Sequence, residues 1–226
     1  MTQVQADNGT MPKTVTVHVV DDDPSMRDSL RWLIESVGMH VDTYNNADAF
    51  LEQFEPDMPG CLVLDVRMPG TSGMELLDTL KNRGVQMPII IISGHGDVPM
   101  AVQALKRGAM DFLEKPFRDQ ELLEQVSRAI EMDSARRKRT ASVAGIRAKL
   151  EKLTPREREV MIMVVGGYAN KQVASRLGLS EKTIEVHRSR VMSKMQAKTL
   201  PCLVKMAIVA GICDPSDCCN ADLDRD

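Results

Sequence analysis

The sequence predicts an α/β protein: a doubly wound, five-stranded parallel sheet in the order 2-1-3-4-5, followed by an all-α helix-turn-helix domain. Three observations carry this prediction. Continuous apolar runs alternate with helical periodicities, the pattern of parallel strands buried on both faces. Acidic or basic residues follow several of those runs, where each predicted strand ends. Charge then changes sign along the chain. Residues 1–133 hold 11 Lys and Arg against 22 Asp and Glu, residues 134–205 hold 17 against 5, and residues 206–226 hold 1 against 5. That is the asymmetry of an acidic module joined to a polyanion binder, and 226 residues suffice for two cores.

The elements follow in order. Val15–Val20, β-branched and apolar, is the first strand, and Asp21-Asp22-Asp23 closes it. Pro24 opens the first helix as an N1 residue, and Leu30, Leu33, Ile34 and Val37 form its inner face until Gly38. His40–Tyr44 is the second strand and Ala47–Phe54 a short helix. Cys61–Leu64 is the third strand, ending at Asp65, with a helix over Gly73–Arg83. Four isoleucines, Ile89–Ile92, end at Ser93, and a helix over Asp97–Arg107 follows. Met110–Leu113 is the fifth strand, succeeded by Lys115-Pro116 and a helix from Asp119 onward.

In an open α/β sheet of this order, ligands bind beyond the carboxyl ends of the strands, between strands 1 and 3. Those strands deliver Asp21, Asp22 and Asp65. Clustered carboxylates repel one another, and a divalent ion relieves the repulsion; one lysine beside them suits a phosphoryl group. Singly, each residue is bland: an acidic turn capping a helix, a loop aspartate, a solvated lysine. Together at the strand ends they predict a phosphorylation switch.

Four segments, V-V-D-D-D-P-S-M-R, L-D-V-R-M-P-G-T-S-G, I-S-G-H-G-D and E-K-P-F, resemble the receiver domain of bacterial two-component response regulators, over roughly Thr14 to Ala129. The resemblance implies that Asp65 accepts a phosphoryl group from a sensor histidine kinase. It implies Mg²⁺ held by Asp22, Asp65 and the backbone carbonyl of Arg67, with Asp21 supporting the ion through water. Ser93 and Lys115 would contact the phosphoryl oxygens. Phe112 stands where the family carries a switching aromatic, most often Tyr, and lacks its hydroxyl. The Lys115-Pro116 bond resembles the family's cis peptide.

The basic half carries the second signal. Thr154-Pro155-Arg156-Glu157 opens a helix with an N-cap threonine, a proline at N1 and an acidic first turn, and Gly166-Gly167 stops it. A short helix over Asn170–Leu177 ends at Gly178, and Ser180 caps a longer one from Glu181 to Met195. Two helices joined by a tight, glycine-containing turn form a helix-turn-helix. L-T-P-R-E-R-E-V, N-K-Q-V-A-S-R-L-G-L-S and K-T-I-E-V-H-R-S-R-V resemble the LuxR-type helix-turn-helix of NarL/FixJ regulators, and both halves resemble the FixJ branch. At 100° per residue, Ile184, Val191 and Met195 of the second helix face inward, with His187 at their border. Lys182, Glu185, Val186, Ser189, Arg190 and Ser193 lie opposite and are the groove-facing candidates. Lys194 and Lys198 are read as phosphate contacts. Arg188 falls nearer the buried side, as a partner for Glu157 or Glu159 or as a phosphate contact.

The expected layout is a disordered start over 1–13, a receiver over 14–130, a helical linker over 131–148, the DNA-binding domain over 149–212 and a disordered acidic tail over 213–226. Arg136-Arg137-Lys138-Arg139 is expected on an extension of the fifth receiver helix or just after it, as a solvated face rather than a DNA contact. Cys61 reads as a core residue; Cys202 stands alone, and Cys213, Cys218 and Cys219 lack the histidines and paired spacing of a zinc site. No signal peptide and no membrane-spanning apolar stretch is visible, so the cytoplasm is the expected compartment. The resemblance implies a non-enzymatic transcription regulator, with only Mg²⁺-dependent phosphoryl acceptance and slow autodephosphorylation. Phosphorylation of Asp65 would promote homodimerisation, with Val102 and Lys106 as interface candidates, or domain release. Binding to promoter DNA and contact with RNA polymerase would follow. The alternatives are a protein-interaction module without phosphorylation-dependent DNA binding, and a constitutive DNA binder.

Overall fold

β-Branched and aliphatic residues make the strands of the first unit, and each strand pairs in parallel with its neighbours. The computed structural model describes residues 14–94 and 98–213 and divides into two units, with the boundary between Arg137 and Lys138. In the first, β1 (Thr16–Val20), β2 (His40–Tyr44), β3 (Gly60–Asp65), β4 (Ile89–Ser93) and β5 (Asp111–Glu114) form one sheet in the order β2-β1-β3-β4-β5. Between them run α1 (Pro24–Ser36), α2 (Ala47–Gln53), α3 (Gly73–Asn82) and α4 (Val98–Lys106), and α5 (Asp119–Leu150) follows β5.

Alternate residues of each strand point to opposite faces, so the sheet has two cores. Leu62, Leu64, Ile89 and Ile91 pack with Phe50 of α2 and Leu76, Leu77 and Leu80 of α3. Val17, Val19, Val63, Ile90 and Ile92 pack with Leu30 and Ile34 of α1 and Leu122, Val126 and Ala129 of α5. β3 and β4 are buried at every position, which is why they read as unbroken apolar runs. Val37, assigned above to the inner face of α1, is instead its C-cap and 49% exposed. The helix ends there because Gly38 turns into the left-handed region at φ 78°. β5 lies one residue later than expected. The expectations for 1–13 and 214–226, and the start of α4 at Asp97, fall outside the described residues.

The basic run near the seam differs from expectation. Arg136 and Arg137 lie on α5, but they are not a solvated face. The buried Asp133 carboxylate accepts from Arg136 and Arg137, both at 2.5 Å, and from the Gly60 N–H at 3.1 Å. Arg137 also donates to the carbonyls of Asp57 and Met58. Gly60 has no room for a side chain: at φ +135°, a Cβ would stand 1.8 Å from the Thr16 carbonyl oxygen. Lys138 and Arg139 are exposed.

In the second unit, α6 (Pro155–Val165), α7 (Asn170–Leu177), α8 (Glu181–Met195) and α9 (Leu200–Val209) surround a core that includes Ile146, Leu150, Val160, Met161, Val164, Val173, Ile184, Val191, Met195, Leu203 and Ala207. Helix α9 was not anticipated, although Thr199 caps it and a proline sits in its first turn, as in α6. No described helix is long and apolar enough to cross a membrane.

Candidate functional site

Parallel register brings the charged strand ends together. Val20 pairs with Leu64, so Asp21 and Asp65 leave β1 and β3 side by side. The Lys115 N–H donates to the Ser93 carbonyl at 2.8 Å, which places Lys115 at the same edge beyond β5, before a cis Lys115–Pro116 bond. The Lys115 Nζ stands 2.7 Å from Asp21 Oδ2 and 2.7 Å from Asp65 Oδ1. Asp65 Oδ2 accepts from the Arg67 N–H at 2.7 Å, and Asp21 Oδ1 from the Asp23 N–H at 2.9 Å. Asp21 is 1% exposed and Asp65 6%, so both carboxylates depend on these partners.

The triple aspartate divides its labour. Asp23 caps α1, accepting from the Ser25 N–H at 2.9 Å. Asp22 is exposed. Arg27, missed by sequence reasoning, donates to the carbonyls of Asp21 and Asp22 and braces the turn. Gly73 was likewise missed as a site residue. The first turn of α3 comes so close that a Cβ there would lie 2.0 Å from the Asp65 carbonyl oxygen, and Ser72 with Glu75 closes a capping box on that turn.

Burial raises the Asp65 pKa above its ordinary value; Lys115 opposes the shift, but that one cation is shared with Asp21. Burial pulls the Lys115 pKa down, and the hydrogen bonds and charges of the two aspartates outweigh it, so the net direction is upward. The result is a protonated lysine between two carboxylates, one of them unusually basic. Ser93 is buried, with its Oγ 3.9 Å from the Met100 sulfur on α4, and Phe112 lies half-buried against the same apolar cluster as Met100.

No three His, Cys, Asp or Glu side chains converge as a ready metal cage among the described residues. Mg²⁺ does not require one, since it is usually held by one or two carboxylates and keeps several waters. Asp21 and Asp65 offer hard oxygen donors whose like charges share one cation, and the exposed Asp22 adjoins them; the donor chemistry fits.

In the second unit, Ile184, Val191 and Met195 of α8 are buried, while Lys182, Glu185, Val186, Ser189, Arg190 and Ser193 are exposed. Arg188 donates to Asn170 Oδ1 at 2.9 Å rather than to Glu157 or Glu159. Glu157 is paired with Lys194, whose Nζ lies 2.6 Å from its Oε2. Glu157 also closes the capping box of α6 with Thr154. The Lys194 hydrogen bond and the Thr154 backbone hold the Glu157 pKa below the ordinary range. Lys194 is therefore engaged inside its own domain, whereas Lys198 is exposed. On α4, Val102 and Lys106 are exposed.

Residues 17–127 match the response regulator receiver domain, and residues 151–207 match the luxR family of bacterial regulatory proteins. The chain is 45% identical to the transcriptional regulatory protein FixJ of Azorhizobium caulinodans over 207 residues, covering 92% of this chain and 98% of that one. The solved structure of the response regulator StyR aligns with a TM-score of 0.80 at 42% identity, covering 86% of this chain and 98% of that one. Full-length FixJ from B. japonicum aligns with a TM-score of 0.54 at 44% identity, covering 89% and 100%. The chain thus belongs to the FixJ-like two-component response regulators, transcriptional regulators in which a receiver domain is joined to a LuxR-type DNA-binding domain.

Proposed function

We propose that a sensor histidine kinase phosphorylates Asp65 and that the phosphorylated protein binds promoter DNA through α8. The observation that carries this reading is the lysine shared between two buried carboxylates at the sheet's carboxyl edge. An Asp65 carboxylate oxygen attacks the phosphorus of a phosphohistidine, the P–N bond breaks, and the imidazole leaves. Burial makes that carboxylate more basic than an ordinary aspartate. Asp22, Asp65 and the Arg67 carbonyl, supported by Asp21, would hold Mg²⁺, which would supply charge neutralisation for the phosphoryl oxygens. Lys115 exchanges one carboxylate partner for a phosphoryl oxygen, and Ser93 turns its hydroxyl to another.

The added charge of roughly −1.5 to −2 rearranges the loops around Ser93 and Phe112 and biases the face of α4, β5 and α5. Dimerisation there, through Val102 and Lys106, or release of the DNA-binding domain permits binding to a two-half-site promoter element and contact with RNA polymerase in the cytoplasm. Lys182, Glu185, Val186, Ser189 and Arg190 contact the major groove. The test is transfer of label from a phosphorylated kinase, with and without a chelator. Asp65→Asn, nearly isosteric, should abolish labelling while the far-UV spectrum stays unchanged; label retained at an aspartate of that variant would overturn the assignment.

A further inference from the structure

The second unit has more positive charge than its own carboxylates can answer. Its described residues, 138–213, hold 15 Lys and Arg but only 5 Asp and Glu. Two of those five are spent internally, Glu157 on Lys194 and Glu159 on Arg156. Lys182 and Arg190 on the outward face of α8, and Lys198 just beyond it, are exposed and make no ion pair among the described residues. The chain itself supplies the complementary charge. Ile212 and Cys213 pack partly against the core of this unit, so the segment that follows starts from a fixed point on it. Residues 214–226 carry aspartates at positions 214, 217, 222, 224 and 226, with a single arginine.

Thirteen residues reach at most about 45 Å at roughly 3.5 Å each. A unit of this size has a radius of gyration of only about 11 Å, so the tether covers all of its faces. A tethered segment is present at an effective concentration on the order of millimolar, which offsets its low charge density relative to a duplex.

We propose that residues 214–226 are an intramolecular competitor of DNA, occupying the Lys182–Arg190 face of α8 until duplex phosphates displace them. The inference rests on the reading that α8 contacts DNA. Competition of this kind lowers the apparent affinity for every duplex that must displace the segment by one common factor, the fraction of chains whose α8 face is free. It also makes the salt dependence of DNA binding shallower, since part of the counterion release has already occurred on the tail.

Three two-domain chains decide it: the parent, a chain ending at Cys213, and a chain with Asp214→Asn, Asp217→Asn, Asp222→Asn, Asp224→Asn and Asp226→Asn. Each is titrated with one non-specific duplex from about 50 to 400 mM salt. Both variants should bind roughly tenfold tighter at the low end, with steeper salt slopes, and converge on the parent within about twofold at the high end. Equal affinities at low salt overturn the proposal. So does a gain from truncation that the asparagine variant lacks, since that marks a steric effect. A second measurement needs no DNA. A synthetic 214–226 peptide, with serine for its cysteines, is added to the chain ending at Cys213. It should shift the amide signals of Lys182, Glu185, Val186, Ser189 and Arg190 at low salt, and no shift on α8 at millimolar peptide overturns the contact. Those shifts without duplex binding at any salt would bring down the DNA reading, and the competition with it, while leaving the contact itself standing.

Discussion

The strand-end site of the first unit and the outward face of α8 both use charge, but in opposite settings. Asp21 and Asp65 are buried and share one lysine at 2.7 Å, so their energies are set by a few short contacts in a low dielectric. Lys182, Glu185, Ser189 and Arg190 are exposed, and their energies are set by water and salt until a polyanion arrives. The difference teaches where sensitivity lies. The first region is tightly coupled: Asp21 and Asp65 share one lysine, so a change at any of the three groups is felt by the other two. The second region responds in small increments, one side chain at a time.

The largest effect that would test this contrast comes from Lys115→Ala. It leaves two buried carboxylates without their cation, and unfolding by urea in the presence of a chelator should show a loss of roughly 3 kcal/mol or more at neutral pH. The sign follows from protonation. A carboxylate whose folded-state pKa is raised is least favourable when ionised, so the loss should grow as pH rises through the raised Asp65 value and shrink in acid. A loss independent of pH would mean that packing, not charge, is what the lysine provides.

Next in size is Glu157→Ala, which removes a cap and the buried partner of Lys194 together; a loss of about 2 kcal/mol is expected by thermal or urea unfolding. Because the folded-state pKa of Glu157 is depressed, its contribution is present above the ordinary glutamate value and is lost as pH falls through the folded value. Parent and variant should therefore converge only in acid, once the pH has fallen below that depressed folded-state value. Smaller again are the groove-facing changes. Glu185→Ala and Ser189→Ala should each relax preference at particular base pairs by roughly 1–3 kcal/mol, read by binding to a randomised duplex library, without altering the salt slope. Lys198→Ala should do the reverse, weakening binding to every sequence and lowering the slope by about 0.9.

The parts legible in the sequence were those written locally. Ile89–Ser93 and Cys61–Asp65 announced strands because both faces are buried, and Thr154-Pro155 and Ser180 announced helix starts because capping needs only neighbours. Asp65 and Lys115 were legible because parallel strands end at one edge, whatever lies between them in the chain. What was hidden depends on partners far apart. Lys194 read as a surface cation because its partner, Glu157, is 37 residues away, and a helical wheel does not report a neighbouring helix. The close approaches at Gly60 and Gly73 were hidden for the same reason, since a glycine in sequence does not say which carbonyl stands against it.

The Asp133 contacts bear on how such a chain can be taken apart. Apolar packing of α5 on the sheet ends at Ala129 and Ile130, so a graft of this receiver onto another output domain would naturally be cut there. That cut discards Asp133 and Arg137. The Gly60 N–H would lose its acceptor, and the carbonyls of Asp57 and Met58 would lose their donor, beside a backbone too tight to move. A portable receiver therefore ends after Arg137, about two helical turns beyond its greasy core. Chimeras joined earlier carry a wound at the opposite end of the sheet from Asp65, where a screen for lost signalling would not think to look.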